Sequence, residues 1–461
     1  MSIFTINSLN LGCFNLLSIA APIVVVLIVF SSYGLGAPVL NSLDKLDSFS
    51  ISERALLSGL IGALIMAGLV WLVGSIRYDV LSMASLLLIT SVFSAYICTK
   101  TPNKLVFDWQ SLALTNAWCL IPWAIALVLS IGIIGSYAPP SDHDTLRYQL
   151  YLPDSNLVLG QITTQFGRSI YEFLPPLGSM YTHMAYALGG AVGASLLNIC
   201  WQVVAAGAAA TLTFRLSRRV DIAWLAALFL LSQRVSINLA SAVSMEFVLA
   251  AYAGAAVITT IALLQKPNIS MGLTLGLIVG GLLNVKHHGL VFSACLYAPL
   301  FFMVARRKIN WSPVFVSGTV AFATLLPWLG RNWIQTGNPV FPTFNHLFSP
   351  NNAHLYDEVL ALNRIGTDFW SFIQLPWTLF VNQNQFDGLQ FGLPILLLFM
   401  PFAFLGKSRH HLLLMLAIIF AYLFIWFSIM PHLIRFLAPL FPILCTIAAL
   451  GACTVADATR D

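Results

Sequence analysis

Residues 412–430 read LLLMLAIIFAYLFIWFSIM, a run without a charged residue. A helix needs roughly 20 apolar residues to cross the hydrocarbon core of a bilayer, so this run is long enough to span a membrane. Comparable stretches lie at 16–34, 53–75, 79–98, 112–136, 191–214, 220–236, 242–264, 270–285, 288–305, 312–330, 388–405 and 435–455. The sequence therefore predicts an all-α polytopic membrane protein with about 12–13 transmembrane helices.

The composition agrees with this fold class. Hydrophobic residues make up 59% of the 461 residues, charged residues only 8%, and the mean hydropathy is +0.86. Soluble domains carry about 25% charged residues, so lipid must be the main solvent of this chain. The net charge of +5 is spread among apolar spans and forms no basic patch, which excludes nucleic acid as a partner.

The charges of the loops predict an orientation. Basic clusters at 100–104, 215–219, 266, 306–308 and 407–409 lie in short connections, which the positive-inside rule places in the cytoplasm. Two long stretches, 137–178 and 331–387, then fall outside, and we expect each to carry short interfacial helices. The predicted location is the cytoplasmic (inner) membrane, with these two outer loops facing the periplasm or the outside.

The chain divides into two predicted parts. Residues 1–111 form an N-terminal transmembrane extension, and residues 112–455 form a transmembrane core that carries the outer loops. The loops hold eight of the 17 acidic residues but four of the 22 basic ones. Long loops of compact proteins are usually functional, so the chemistry is expected there.

The first outer loop contains PPSDHDTLRYQLYLP at 139–153. Ser141 is a typical N-cap and Pro153 a typical stop, which predicts a short helix over 142–152. Leu146 and Leu150 would share one face of it, and a polar face would combine Asp144, Arg147, Tyr148 and Tyr151. A carboxylate beside a cation and two phenols favours a catalytic site. The alternative is that Ser141 and Asp144 form a capping box.

Asp142, His143 and Asp144 also have side chains that bind divalent cations. Three adjacent residues cannot complete a coordination sphere by themselves, so a divalent cation remains a candidate cofactor at this position. Nothing else in the sequence indicates a cofactor.

Several motifs, in this order along the chain, resemble those of the GT-C superfamily of membrane glycosyltransferases. Asp144-x-x-x-Tyr148-Gln149-Leu150 followed by Leu152-Pro153 resembles the signature D-x-x-x-Y-H-L…P, with glutamine in place of histidine. The others are YEFLPPLG at 171–178, KHHG at 286–289, WLGRNWIQTGNPVFP at 328–342, and Arg435 before Pro439. The resemblance implies a GT-C-like fold and a polyprenyl-phosphate sugar as donor. It also implies inverting transfer to a glycan, a glycolipid or a protein such as pilin.

The resemblance also implies roles for individual residues. Asp144 is the expected general base, with Asp142 as the second candidate and Tyr148 beside them. Cations at the outer ends of three spans, Lys286, Arg331 and Arg435, are expected to bind the donor phosphate. The alternative interpretation is that these three side chains snorkel to the lipid headgroups.

Three further residues are candidates for substrate binding: Arg168, Glu172 and His287. Arg168 and Glu172 are spaced so that they could instead pair with each other across one helical turn. Glu246, near the outer end of its span, is either a second acid or a partner for Arg234.

Two other functions fit parts of the pattern. A polysaccharide polymerase or ligase of the O-antigen type also has many spans and a large outer loop, but the Asp144 signature disfavours it. A lipid or glycan flippase needs polar groups deep inside several spans, whereas here they cluster at the outer ends. One cavity at the outer end favours the transferase, and a cavity halfway across the membrane favours transport.

Overall fold

The computed structural model describes residues 11–44, 48–100, 116–165, 168–348, 368–382, 398–406 and 409–458, and three isolated residues between 366 and 392. Within these residues every regular element is helical. The α-helices, in chain order, are α1 (Leu11–Leu43), α2 (Ile51–Ile76), α3 (Val80–Lys100), α4 (Leu120–Ser136), α5 (Tyr151–Leu159), α6 (Leu177–Ser217), α7 (Val220–Leu231), α8 (Arg234–Leu239), α9 (Glu246–Gln265), α10 (Ile269–Leu283), α11 (His288–Ala305), α12 (Trp311–Thr336), α13 (Asn345–Phe348), α14 (Phe369–Val381), α15 (Arg409–Ile429) and α16 (Phe441–Ala458).

The helices confirm a polytopic membrane protein. In the described part of the chain, nine helices are long and apolar enough to cross a membrane, and α4, α7 and α10 are shorter apolar helices. Twelve of the thirteen predicted spans coincide with one of these helices. Half of the remaining span, 388–405, lies outside the described residues.

Two predicted spans differ in detail from the observed helices. The span 191–214 is the second part of α6, which is kinked at Gly190, where φ is 62°. The span 220–236 is interrupted, because α7 ends at Leu231 and α8 starts at Arg234. Gln233 lies in the break and donates a hydrogen bond to the sulfur of Cys445 in α16 at 2.9 Å. The break between the two helices therefore packs inside the protein.

Helices α1–α3 pack tightly on each other and on the rest of the bundle. A Cβ atom at Gly62 of α2 would overlap the carbonyl oxygen of Ser32 in α1, so this contact requires glycine. The hydroxyl of Tyr252 in α9 donates to the carbonyl of Leu60 at 2.6 Å. Whether 1–111 is a separate domain stays a prediction.

The bundle has two chemically different ends. At the basic end, Arg215 pairs with Glu53 at 2.6 Å, and Arg219 pairs with Asp457 at 2.9 Å. The loop end comprises residues 137–165, 168–176, 284–287, 337–345 and 430–435. There the N–H of Ile162 donates to the carbonyl of Gly74 at 2.7 Å, which joins α2 to the first outer loop. That the basic end is cytoplasmic remains the prediction of the positive-inside rule.

The second outer loop contains an exposed apolar helix, α14. Asp368 caps it by accepting hydrogen bonds from the N–H groups of Trp370 and Ser371. Trp370 and Trp377 are exposed, whereas Leu375 is buried. Exposed tryptophans are typical of the membrane–water interface, which fits the interfacial helix expected in this loop.

Candidate active site

The first outer loop begins with a helical turn that Asp142 caps. Its carboxylate accepts hydrogen bonds from the backbone N–H of Thr145 at 2.9 Å and from the hydroxyl of Thr145 at 3.0 Å. The prediction that Ser141 caps the helix is therefore wrong. Pro153 does not stop the helix either, because it lies in the first turn of α5, where a residue without a backbone N–H is tolerated.

A π-helical turn follows, over Thr145–Gln149, and α5 then continues to Leu159. The wider turn rotates the side chains relative to an α-helix. Leu146 is exposed and Leu150 is buried, so the prediction that they share one face is wrong. Gly160 ends the helix with a left-handed φ of 72°.

Asp144 stands at the start of the π-helical turn and does not cap it. Its carboxylate instead forms an ion pair with Arg435, at 2.9 Å between Oδ2 and Nη1. The two side chains are 24% and 17% exposed, so the pair is partly shielded yet accessible to a ligand. The capping-box alternative for Asp144 is thus not what the structure shows, because Asp142 takes that role.

A second ion pair lies beside the first. Lys286 Nζ contacts Glu246 Oε1 at 2.9 Å, and Glu246 is buried at the first residue of α9. The ring of Phe436 lies close to both pairs, with its centroid 4.9 Å from Lys286 Nζ and 5.9 Å from Arg435 Cζ. Both cations therefore face carboxylates and an aromatic ring of the protein, which disfavours snorkelling for these two residues.

Tyr148 is buried next to this cluster. Its ring stacks on that of Tyr171, with centroids 4.2 Å apart, and the Arg147 guanidinium lies 5.5 Å from the Tyr171 ring. Burial raises the pKa of the Tyr148 phenol well above its ordinary value, and the nearby carboxylate of Asp144 raises it further. Tyr148 is therefore a neutral O–H group. Tyr151, expected on the same face, is exposed.

Arg168 and Glu172 are paired with each other, as the alternative interpretation expected. The guanidinium of Arg168 also donates to the side-chain oxygens of Asn156 and Ser155, at 3.0 and 3.3 Å. Glu172 accepts the backbone N–H of Gln165 at 2.8 Å. The pair thus stabilises the fold of the first outer loop.

Arg331 makes its contacts away from the other two predicted phosphate ligands. Its guanidinium lies 5.4 Å from the Trp71 ring of α2 and donates to the side-chain oxygen of Asn332 at 3.0 Å. The carboxylate that acts on it electrostatically is that of Glu172. Lys286 and Arg435 come together around Phe436, and no contact in the described part of the chain joins Arg331 to them.

His287 lies between α10 and α11. Its ring donates to the carbonyl of Val340, and burial lowers its pKa to about 4, with a further contribution from Lys286. The neutral ring therefore presents Nε2 as an acceptor, and this atom is buried without a hydrogen-bond partner among the described residues. The neighbouring His288 packs on Phe436 at 4.1 Å, and its Nδ1 is also buried without a partner there. Buried unsatisfied nitrogens beside a charged cluster are typical of a ligand site.

The Trp328–Pro342 motif joins the end of α12 to the segment before α6 by hydrogen bonds. Trp328 Nε1 and Asn332 Nδ2 both donate to the carbonyl of Phe173, at 2.7 and 3.0 Å. Asn338 donates to Asn345 at 2.9 Å and shapes the turn that follows α12. This motif thereby fixes the segment that carries Tyr171.

The candidate metal ligands do not form a site together. The Asp142 carboxylate accepts a hydrogen bond from Thr145, and His143 is exposed, with its Nδ1 3.6 Å from Asp144. In the part of the chain that the structure describes, no group of three His, Cys, Asp or Glu side chains could hold a metal ion. Asp142, His143 and Asp144 are therefore not a complete ligand set.

Sequence reasoning missed two features of the site. Glu246 pairs with Lys286, whereas the sequence suggested Arg234 as its partner. Phe436 lies close to the cations of both ion pairs, and its position directly after Arg435 in the last recognised motif was the only signal for it.

No protein-family model matches this sequence, and no curated protein is significantly similar to it. The fold is similar to the crystal structure of ArnT from Cupriavidus metallidurans bound to undecaprenyl phosphate, with a TM-score of 0.53 and 15% sequence identity. The same protein in the apo state gives a TM-score of 0.50 and 14% identity. Each comparison covers 73% of this chain and 60% of the ArnT chain, so the protein spans about 60% of the length of the structures it matches. The likeness shows the fold alone, and it confirms the GT-C-like fold that the motifs predicted.

Proposed function

We propose that this protein of GT-C fold is an inverting glycosyltransferase that uses a polyprenyl-phosphate sugar as donor. The observation that carries the proposal is the Asp144–Arg435 ion pair next to the Lys286–Glu246 pair, with the cations of both pairs close to the ring of Phe436. A base and two cations thus lie together at the loop end. The binding of undecaprenyl phosphate by ArnT, which shares the fold, supports a donor of this class.

The reaction is a single displacement at the anomeric carbon. Asp144 accepts the proton of the acceptor hydroxyl as the hydroxyl oxygen forms a bond to C1 of the sugar. The bond between C1 and the phosphate oxygen breaks, and the polyprenyl phosphate leaves with the electron pair. Lys286 and Arg435 stabilise the charge that develops on the leaving phosphate. One displacement inverts the anomeric configuration.

The ion pairs couple donor binding to catalysis. In the structure each cation is neutralised by a carboxylate, so the phosphate must compete with Asp144 for Arg435 and with Glu246 for Lys286. Once the phosphate binds Arg435, Asp144 is released from its counter-ion and can accept a proton. Donor binding therefore frees the Asp144 carboxylate to act as a base before the acceptor reacts.

Other residues of the site bind and position the substrates. The Tyr148 hydroxyl, kept neutral by burial, is a hydrogen-bond donor beside Asp144. His287 Nε2, an acceptor, is suited to a sugar hydroxyl. Arg168 and Glu172 contribute by holding the loop that carries Tyr171. We place the reaction at the outer face of the cytoplasmic membrane, with a surface glycan, a glycolipid or a protein such as pilin as acceptor.

Asp144→Asn tests the proposal, with Asp142→Asn as the matched control. Asparagine keeps the shape of aspartate but cannot accept the proton, so transfer should fall by at least about a hundredfold in Asp144→Asn. Asp142→Asn retains a capping side chain and should keep most of the activity. Transfer of labelled sugar by protein purified in nanodiscs is the measurement. Near-normal transfer by Asp144→Asn, or loss only in Asp142→Asn, would contradict the assignment.

A further inference from the structure

A cleft of about 520 Å³ opens between α2, α12 and the segment Pro176–Leu177. Its lining is mostly apolar and includes Leu64, Ala67, Trp71, Leu72, Pro176 and Pro327. Leu72 is 63% exposed, so the cleft opens toward the surroundings of the bundle. For a membrane helix those surroundings are lipid, and an acyl chain can enter from the side.

The cleft has the depth of one leaflet. On α2 its lining runs from Leu64 to Ser75, which corresponds to about 16 Å of helix. That is roughly half of the hydrocarbon core of a bilayer. One end of its lining is formed by Pro176 and Asn284, which belong to the loop end. A lipid in the cleft would therefore place its headgroup at the end where the proposed active site lies.

A cation stands at the mouth of the cleft. The guanidinium of Arg331 lies 5.4 Å from the ring of Trp71, which lines the cleft. Unlike Lys286 and Arg435, Arg331 has no carboxylate within ion-pair distance in the described residues. Glu172, which acts on it electrostatically, is itself bound to Arg168. The charge of Arg331 is thus available for an anion.

We infer that this cleft binds the anchor of an anionic lipid acceptor, with its acyl chain between α2 and α12 and its phosphate on Arg331. The inference rests on the proposed function and narrows the acceptor to a membrane glycolipid. The cations proposed for the donor phosphate contact Phe436, whereas Arg331 contacts Trp71. The segment Tyr171–Phe173 lies between the two sites. Tyr171 stacks on Tyr148 near Asp144, and the next residue, Glu172, acts electrostatically on Arg331. Adjacent residues of one segment thus reach both sites.

Gly68→Leu tests the cleft without disturbing the helix. A Cβ atom at Gly68 meets no atom within 4 Å, so leucine fills the cleft instead of clashing. Gly59 lies on the same helix, is equally open, and does not line the cleft, which makes Gly59→Leu the matched control. The probe is dioleoyl phosphatidate titrated onto the purified protein, with bound lipid counted by native mass spectrometry. We expect Gly68→Leu and Arg331→Gln each to weaken binding roughly tenfold, and Gly59→Leu to bind like wild type.

Undecaprenyl phosphate distinguishes the acceptor cleft from a donor groove. Its binding should fall in Lys286→Ala and Arg435→Ala and stay unchanged in Gly68→Leu. Loss of undecaprenyl phosphate binding in Gly68→Leu would overturn the inference and assign the cleft to the donor, while leaving the proposed function intact. Phosphatidate binding that neither Gly68→Leu nor Arg331→Gln weakens would also overturn it. Because these are binding measurements, they are independent of the Asp144→Asn result, which tests the proposed function itself.

Discussion

At the scale of single residues, two ion pairs lie close to the ring of Phe436, and each charge is neutralised by its partner. Glu246 is buried and Lys286 is only 15% exposed, so neither charge is fully hydrated. Removing one partner of such a pair leaves an uncompensated charge, whereas removing both is often tolerated. Stability and catalysis should therefore respond differently to single and double substitutions.

Lys286→Met should lower the stability of the protein by about 3 kcal/mol, because Glu246 is left buried without a counter-ion. The double variant Lys286→Met with Glu246→Leu should recover most of that stability. Neither variant should transfer sugar at the normal rate, because both lack one of the two cations that stabilise the leaving phosphate. Thermal denaturation in detergent and transfer of labelled sugar are the two measurements. A double variant that regains both stability and activity would show that Lys286 has only a structural role.

At the scale of elements, the π-helical turn determines where Asp144 points. Thr145 holds this turn from two directions, because its hydroxyl donates to Asp142 and accepts the backbone N–H of Val243 at 3.0 Å. Val243 lies just before α9, the helix that begins with Glu246. A single hydroxyl therefore ties the first outer loop to the second ion pair, and we regard Thr145 as a positioning residue.

Thr145→Val should displace Asp144 without removing it. The change keeps the shape of the side chain but leaves the N–H of Val243 without its acceptor, at a cost of about 1–3 kcal/mol. We expect kcat to fall while KM for the donor changes little, and Thr145→Ser to restore kcat. Thr259→Val is the control, because the Thr259 hydroxyl donates only to the carbonyl of Ala255 in its own helix. Equal loss of kcat in both valine variants would point to a general loss of packing.

At the scale of the whole molecule, the chemistry is concentrated at one end of the bundle. Four connections at the basic end are short: residues 44–50, 218–219, 266–268 and 306–310. A nucleotide-binding domain typically needs about 100 residues or more, so these connections cannot form one. The charged cluster lies at the loop end, where a lipid-linked donor can approach from the membrane.

The purified protein should therefore use a polyprenyl-phosphate sugar and should not use a nucleotide sugar. The test supplies each donor separately to protein in nanodiscs, together with a glycolipid acceptor. Transfer from a UDP- or GDP-sugar without lipid carrier would refute both the orientation and the mechanism. A requirement for a diphosphate-linked oligosaccharide would favour the polymerase or ligase alternative. Transfer in detergent, where no second compartment exists, would exclude a function limited to flipping.

The sequence by itself determined the features that depend on residues close together along the chain. Apolar length predicted the spans, because crossing a bilayer requires a minimum number of apolar residues in one helix. Loop charge predicted two chemically different ends, and the motifs predicted that Asp144 shares one site with Lys286, Arg331 and Arg435. Where local signals competed, as for the cap at Ser141 or the stop at Pro153, the sequence could not decide between them.

Only the tertiary structure decided which charges meet. Asp144 pairs with Arg435 from the other end of the chain, Glu246 pairs with Lys286, and Arg331 lies apart on Trp71. The same contacts selected Asp142 as the cap and left Asp144 facing the site. The physical reason is that an ion pair depends on the distance between two groups and on the water excluded around them, and packing of distant helices sets both.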